Sequence, residues 1–275
     1  MLVEKITSRQ NPLVKRFRRV RSGAEPHLIL LEGVRLVEEA LDSGAHFESV
    51  AFTSDLEQTD RGLALKDALQ RVPCRGAELN KQVMDYMSDT ENPQGIAALA
   101  VRPHFTLEQV FDREPQLLII ADGLQDPGNI GAIVRTAEAA GATGLLATSG
   151  TVSPYSPKAL RASMGSALRL PIATSQAPEA IVKACSESGV TILASNPARP
   201  EAPRSNSVIY TDADFRAGVA VVIGSEGSGI PSRALADAGQ FLHIPMAPSV
   251  ESLNVASSTA ILLYEAARQR NFLFA

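Results

Sequence analysis

From Gln116 onward the chain repeats one pattern: a short run that is apolar at nearly every position, then a turn, then a longer helical stretch. The runs are QLLIIAD, TGLLAT, VTILAS, VAVVIGS and QFLHIP. Helical stretches fall between them at 130–141, 157–168, 178–188 and 231–238, and a long last element extends from Ser252 to about Asn271. A strand without polar alternation has to be covered on both faces, and helices between successive strands supply both the cover and the crossovers. The expected fold class is therefore α/β with a parallel sheet. In such a sheet the loops that follow the strands gather at the carboxyl edge, where ligands bind.

A smaller series precedes it: HLILLEG, VRLVEEALDSG, ESVAFTS, LALKDALQRV, RGAEL, KQVMDYM and GIAALAV. It reads as a small α/β domain over 1–101, followed by a linker at 102–115 and a larger domain at 116–275. Ahead of the first strand, SRQNPLVKRFRRV reads as a helix, with Asn11 as cap and Pro12 at the first position. Leu13, Phe17 and Val20 share one face, and Lys15, Arg16, Arg18 and Arg19 point elsewhere. Residues 1–22 carry seven basic side chains against Glu4 alone, a net +6, while the remaining 19 basic and 29 acidic residues give −10. That asymmetry suggests a basic arm that meets a polyanion, with an ordinary solvated helix face as the alternative.

The chain has 275 residues, is 45% hydrophobic and 20% charged, and contains no Trp, which suits one large or two ordinary globular domains. The start, MLVEKITSRQ, has no apolar signal core, and no apolar run approaches the ~20 residues that cross a bilayer. A cytoplasmic protein is expected. Cys74 and Cys185 lie far apart without ligand-like neighbours, and His27, His46, His104 and His243 form no metal motif, so no metal is expected.

Three loops follow strands and carry candidate chemistry: DPGNIGAIVRTAEAAG from Asp126, VVIGSEGSGIP over 221–231, and HIPMAPSVESLNVASSTAILLYEA over 243–266. The first is not a dinucleotide loop. Gly123, Gly128 and Gly131 have the wrong spacing, and the next strand, GLLATSG, ends without the acid that would hold a ribose. A phosphate-loop Gly-Lys-Ser/Thr sequence is absent too. Each polar residue has an ordinary reading: Asn129 as a helix cap, Arg135 paired with Glu138, Glu226 as a turn carboxylate, Ser252 as an N-cap with Asn254 in the first helical turn. Their concentration on three strand ends favours a site.

In order and spacing these three segments resemble the motifs of the SpoU (TrmH-like) family of RNA ribose 2′-O-methyltransferases, in the SPOUT superfamily, over roughly residues 116–271. The N-terminal part looks like the substrate-binding domain that precedes it in many ribosomal RNA methylases, a fold akin to some RNA-binding ribosomal proteins. Relatives often have Gly at Pro248 and Ser at Ala256. The resemblance implies a deep trefoil knot, a homodimer with the cofactor pocket beside its interface, and methyl transfer from S-adenosylmethionine to RNA, with ribosomal RNA as the expected substrate. Transfer RNA is the rival substrate, and a non-catalytic RNA-binding assembly factor is the rival function. By resemblance, Asn129, Arg135, Glu226, Ser252 and Asn254 form the catalytic set. Arg135 is either a base or a charged stabiliser of the forming alkoxide. Ser195, Asn196, Gly224, Gly227, Ile244, Met246 and Leu253 would bind the cofactor, and Arg9, Lys15, Arg16, Arg18, Arg19 and Arg35 would meet RNA.

Overall fold

A computed structural model describes residues 2–195, 207–225 and 229–272. The chain divides into two compact units: 1–103 with Tyr155–Arg169, and His104–Pro154 with Leu170–Ala275.

In the first unit the order is β1 (Leu2–Ile6), α1 (Pro12–Arg21), β2 (Leu28–Glu32), α2 (Val34–Asp42), β3 (Phe47–Phe52), α3 (Asp60–Gln70), β4 (Arg75–Leu79), α4 (Lys81–Met87) and β5 (Ile96–Val101). The sheet runs β1-β4-β3-β5-β2, with β5 antiparallel to both of its neighbours. The expected elements stand where the sequence places them, and β1 is additional. It is an edge strand with exposed Val3 and Lys5, held to β4 in parallel register and by the pairs Glu4–Arg75 and Lys5–Glu78.

Helix α1 forms as its sequence predicts. Asn11 Oδ1 accepts the Leu13 N–H at 2.8 Å, Pro12 occupies the first turn, and Leu13, Val14, Phe17 and Val20 are buried. Its cations are not all directed outward. Buried Glu25 accepts from Arg16 Nε at 3.2 Å and from Arg19 Nε at 2.9 Å, and Arg16 also reaches Glu48 at 2.7 Å.

The second unit begins with α5 (Leu107–Val110), closed by a reciprocal capping box between Thr106 and Gln109 and packed through buried Val110. The stretch 102–115 thus holds one short helix, and the boundary between units falls at Pro103. There follow β6 (Leu117–Ala121), α6 (Pro127–Ala139) and β7 (Gly144–Thr148). The next two helices, α7 (Pro157–Ser163) and α8 (Ser166–Arg169), belong to the first unit, where Arg161 bridges Glu32 and Asp89 and Arg169 reaches Glu39. A single helix at 157–168 is expected, but Met164, at φ 51°, interrupts it. The chain then continues through β8 (Ile172–Gln176), α9 (Pro178–Glu187), β9 (Thr191–Ser195), β10 (Ser207–Ile209), β11 (Val219–Ile223), α10 (Arg233–Ala238), β12 (Gln240–His243) and α11 (Val255–Gln269).

The resulting seven-stranded sheet is parallel throughout, in the order β10-β12-β9-β11-β6-β7-β8. Its central strands β6, β7 and β11 are buried at every position, as continuous apolar runs require. The C-terminal helix packs against α6 and is fixed at its far end. Gln269 bonds Ala213 and Phe215, and the Arg270 guanidinium donates to the carbonyls of Pro115, Gln116, Phe215 and Ala217.

The Glu25 cluster makes a pH-dependent contribution to stability. The hydrogen bond from Arg19 holds the Glu25 carboxyl below the ordinary glutamate range, against the opposing effect of burial. A lowered folded-state value gives stability that is complete above the ordinary range and disappears as pH falls through the lowered one. Arg19→Ala should therefore be less stable than wild type near neutral pH, by no more than about 1 kcal/mol for so exposed an arginine. Thermal unfolding across a pH series should show the gap closing in acid. A gap independent of pH would remove the carboxylate from the explanation.

Candidate active site

Four adjacent strands, β12, β9, β11 and β6, bring their carboxyl ends to one edge of the second unit. A buried carboxylate organises that edge. Asp122, directly after β6, donates its N–H to the Ile223 carbonyl at the end of β11 at 2.9 Å. Its Oδ1 accepts the Thr148 hydroxyl from the end of β7, and its Oδ2 accepts the Ser232 N–H, each at 2.8 Å. The loop that follows turns at Gly123, where φ is +70° and an added Cβ would lie 2.8 Å from Pro231. Thr151 braces it, accepting the Gly123 N–H and donating to the Ala121 carbonyl.

The loop then enters α6. Asp126, not Asn129, is the cap: its Oδ1 accepts the Asn129 N–H at 2.8 Å. The Asn129 side chain is thereby released for another partner, and Asn254 Nδ2 donates to Asn129 Oδ1 at 3.1 Å. Asn254 is itself the N-cap of α11, with its Oδ1 accepting from Ala256 and Ser257. The expected assignment is thus reversed, since Ser252 lies before the helix and Asn254 caps it. The amide explains why: its oxygen serves the two helical N–H groups while its nitrogen bonds Asn129, and a serine hydroxyl has a single proton to give. Arg135 is exposed on α6 and has no ion-pair or hydrogen-bond partner among the described residues.

Beside this junction lies a cleft lined by Ser195 from β9, Ile223, Gly224, Ser225 and Gly229 after β11, Leu242, Ile244 and Met246 from β12 and its loop, and Ser252, Leu253, Val255, Ser258 and Leu262 around the start of α11. Gly224 has no room for a side chain: a Cβ there would lie 2.0 Å from the Gly229 carbonyl oxygen. Ser225 and Gly229 exchange backbone hydrogen bonds at 2.7 and 3.0 Å, which pinches the base of the glycine loop. Five of the seven expected cofactor residues, Ser195, Gly224, Ile244, Met246 and Leu253, line this one cleft. Asn196, Gly227 and Glu226 lie outside the described residues.

The family model of the SpoU rRNA methylases matches residues 116–264, the segment that builds this edge. The chain belongs to the SpoU rRNA methylase family. An MRM3-like substrate binding domain matches residues 11–98. An uncharacterized tRNA/rRNA methyltransferase of Synechocystis is 35% identical, with 98% of this chain and 95% of that protein covered. A 23S rRNA (guanosine(2553)-2′-O)-methyltransferase of Bacillus subtilis is 30% identical over 95% of this chain and 98% of its own length. The crystal structure of an AdoMet-bound rRNA methyltransferase from Sinorhizobium meliloti superposes with a TM-score of 0.83 at 30% identity, covering 99% of each chain.

Against this SpoU background, the residues expected to meet RNA divide into two groups. Arg16 and Arg19 are engaged with Glu25 and Glu48, so they serve the fold of the first unit. Arg9, Lys15, Arg18 and Arg35 are exposed, and Arg35 borders a cleft with Thr90, Asn92 and Gln94. Sequence reasoning missed Asp122, although LLIIAD displays it: an acid closing an apolar run is the visible signal. It also missed Ser225, Ser258 and Leu262 in the cleft, since hydroxyls and leucines are too common to stand out.

The two functions of the Asn254 amide can be separated. Asn254→Ala should cost about 1 kcal/mol, the usual value of a lost N-cap, and lower the thermal midpoint by a few degrees. Asn254→Asp keeps the accepting oxygen and should melt near wild type. Equal destabilisation by both substitutions would mean that the cap is not what α11 needs from this residue.

Proposed function

We propose that this chain transfers a methyl group from S-adenosylmethionine to a ribose 2′-hydroxyl of ribosomal RNA. The observation that carries the reading is the Asn254–Asn129 hydrogen bond, which joins the first turn of α6 to the helix whose first turn lines the cleft. Two segments 125 residues apart in sequence thus converge beside the cleft.

The cleft fits this cofactor. Ile223, Leu242, Ile244, Met246, Leu253 and Leu262 offer apolar walls for a flat base, and Ser195, Ser225, Ser252 and Ser258 offer hydroxyls for ribose and amino-acid groups. Gly224 allows the backbone to approach closely. Bound there, the cofactor supplies an activated methyl on a sulfonium, a chemistry that needs no metal. Backbone groups near Gly224, Ile244 and Leu253 hold it. Asn129 and Asn254 orient the ribose, and Ser252 completes the polar wall. The Arg135 guanidinium stabilises the hydroxyl oxygen as its proton leaves for a water or RNA phosphate. The roles of Glu226, Gly227 and Asn196 rest on the motif resemblance alone.

Several features support the finer reading of the family fold. Strand β12 lies between β9 and β10, and the chain then returns to pack α11 against α6, an arrangement compatible with a threaded, knotted C-terminus. Exposed Ile209, Val250 and Tyr264, with a groove of Ile244, Pro245, Leu253 and Ile261, suit burial in a homodimer next to the cleft. The first unit presents the RNA, while the second holds the cofactor and the reacting groups. Among the described residues no helix is long and apolar enough to cross a membrane, and Cys74 and Cys185 are unbridged, which suits a cytoplasmic enzyme.

Arg135→Lys and Arg135→Ala should bind S-adenosylmethionine nearly as wild type. Both should lose methyl transfer by at least roughly a hundredfold, the scale of one missing transition-state donor. Lysine fails with alanine because it lacks the planar fork. Single-turnover transfer of labelled methyl to ribosomal RNA, with cofactor affinity measured in parallel, checks this. Wild-type transfer by Arg135→Ala would return Arg135 to a surface charge.

A further inference from the structure

The cations at the start of the chain fall into two environments. Arg16 and Arg19 converge on the buried carboxylate of Glu25, with Glu48 as a further partner, and Arg21 is held by the Ser88 carbonyl. Folding accounts for these three. It does not account for Arg9 and Arg18. Both guanidinium carbons lie over the ring of Tyr86, Arg9 at 5.0 Å and Arg18 at 4.3 Å from its centroid, and Arg18 also donates to the Tyr86 hydroxyl. Neither has a carboxylate partner among the described residues, and both are exposed. Lys15, one turn before Arg18 on α1, is exposed and has no ion-pair partner among the described residues. Asp85, next to Tyr86 on α4, makes no ion pair with any of them.

Like charges drawn to one point repel each other. Attraction of each to the ring offsets part of that. What the cluster lacks is an anion. It also offers flat surfaces: a phenol ring anchored against the core of the first unit and two planar guanidinium groups beside it. A phosphate that bridges two arginine forks and a base that stacks on a ring or guanidinium plane are the two halves of a nucleotide.

We propose that Arg9, Arg18 and Tyr86 form a binding site for one unpaired nucleotide of the RNA substrate, with Lys15 holding the next phosphate. A base within a duplex cannot reach such a platform, so the site selects single-stranded RNA and sets where the strand enters. The proposal rests on the RNA methyltransferase reading and adds a residue, Tyr86, that the sequence does not single out. Tyr86 is a positioning residue here, remote in sequence from every loop that carries chemistry.

The test uses the full chain and a fluorescently labelled, unstructured single-stranded RNA of about twenty nucleotides, titrated at several salt concentrations. Tyr86→Leu keeps apolar packing but removes the ring. It should weaken binding by roughly tenfold while leaving the salt slope unchanged. Tyr86→Phe should bind as wild type. Arg9→Ala combined with Arg18→Ala should flatten the slope by roughly 0.7, since the two arginines share one phosphate and each neutralised phosphate on a single strand contributes about 0.7. Circular dichroism and thermal melting establish that each variant is folded. If folded Tyr86→Leu bound within twofold of wild type, or if poly-glutamate displaced the RNA as readily as unlabelled RNA does, the cluster would be a general anion-attracting face and the proposal would fall. Wild-type protein that failed to bind this RNA would likewise overturn the proposal, whereas failure to transfer methyl to ribosomal RNA would overturn the methyltransferase reading itself, a distinct result.

Discussion

Asp122 stands at the end of β6 with its carboxylate out of solvent, and three neighbouring segments close on it: the end of β7 through Thr148, the segment entering α10 through Ser232, and the end of β11 through the Asp122 backbone. A buried carboxylate is costly unless its lone pairs are occupied, so this group fixes the relative positions of what surrounds it. Those segments flank the loops that carry the site. The loop to Asn129 leaves from Asp122 itself, and the glycine loop after β11 begins one residue beyond Ile223. Pre-organisation of this kind is what methyl transfer asks of a protein, because positioning the reacting atoms removes much of the barrier.

The parts of the fold that were legible in the sequence are those whose physics is local or periodic. Strands β6, β7, β9, β11 and β12 announce themselves as apolar runs because both of their faces are covered. The strands that escaped notice, β1, β8 and β10, are all edge strands. An edge strand needs less apolar surface and can hold itself with cross-strand pairs such as Glu4–Arg75, so its sequence carries no continuous run. The stretch 155–169 hides its contacts for another reason. Its helical pattern is visible, but membership in the first unit depends on Arg161 meeting Glu32 and Asp89, far away in the chain. The candidate site was legible as a set of motifs, five of whose expected cofactor residues do line one cleft. The exchange of capping roles between Ser252 and Asn254 was not, because it depends on Asn129 standing opposite.

Charge illustrates the same limit. A count over residues 1–22 makes the basic arm look uniform. Burial of Glu25 divides it into arginines used by the fold and cations left facing solvent. A count cannot make that distinction, since Glu25 lies beyond the helix that it neutralises. Phosphate contacts position RNA without specifying it, so a charge count says nothing of which RNA a protein selects.

The C-terminal helix sets the remaining distance in the site. At its far end Arg270 gathers the carbonyls of Pro115 and Gln116, which lead into β6, and of Phe215 and Ala217, which lead into β11. These are the strands whose opposite ends deliver Asn129 and Gly224. Burial pulls the Arg270 pKa below the ordinary arginine value, yet a guanidinium remains charged well above neutral pH and keeps all its donors. Helix α11 therefore spans the sheet from the amino edge to the carboxyl edge. Its 15 residues place Asn254 at a fixed height, about 24 Å from the anchor. Adding or deleting one residue between Asn254 and Arg270 would shift the cap by about 1.5 Å and rotate it by about 100°. Asn254 would then no longer face Asn129. The length of this helix is thus as much a part of the site as the side chains that line it.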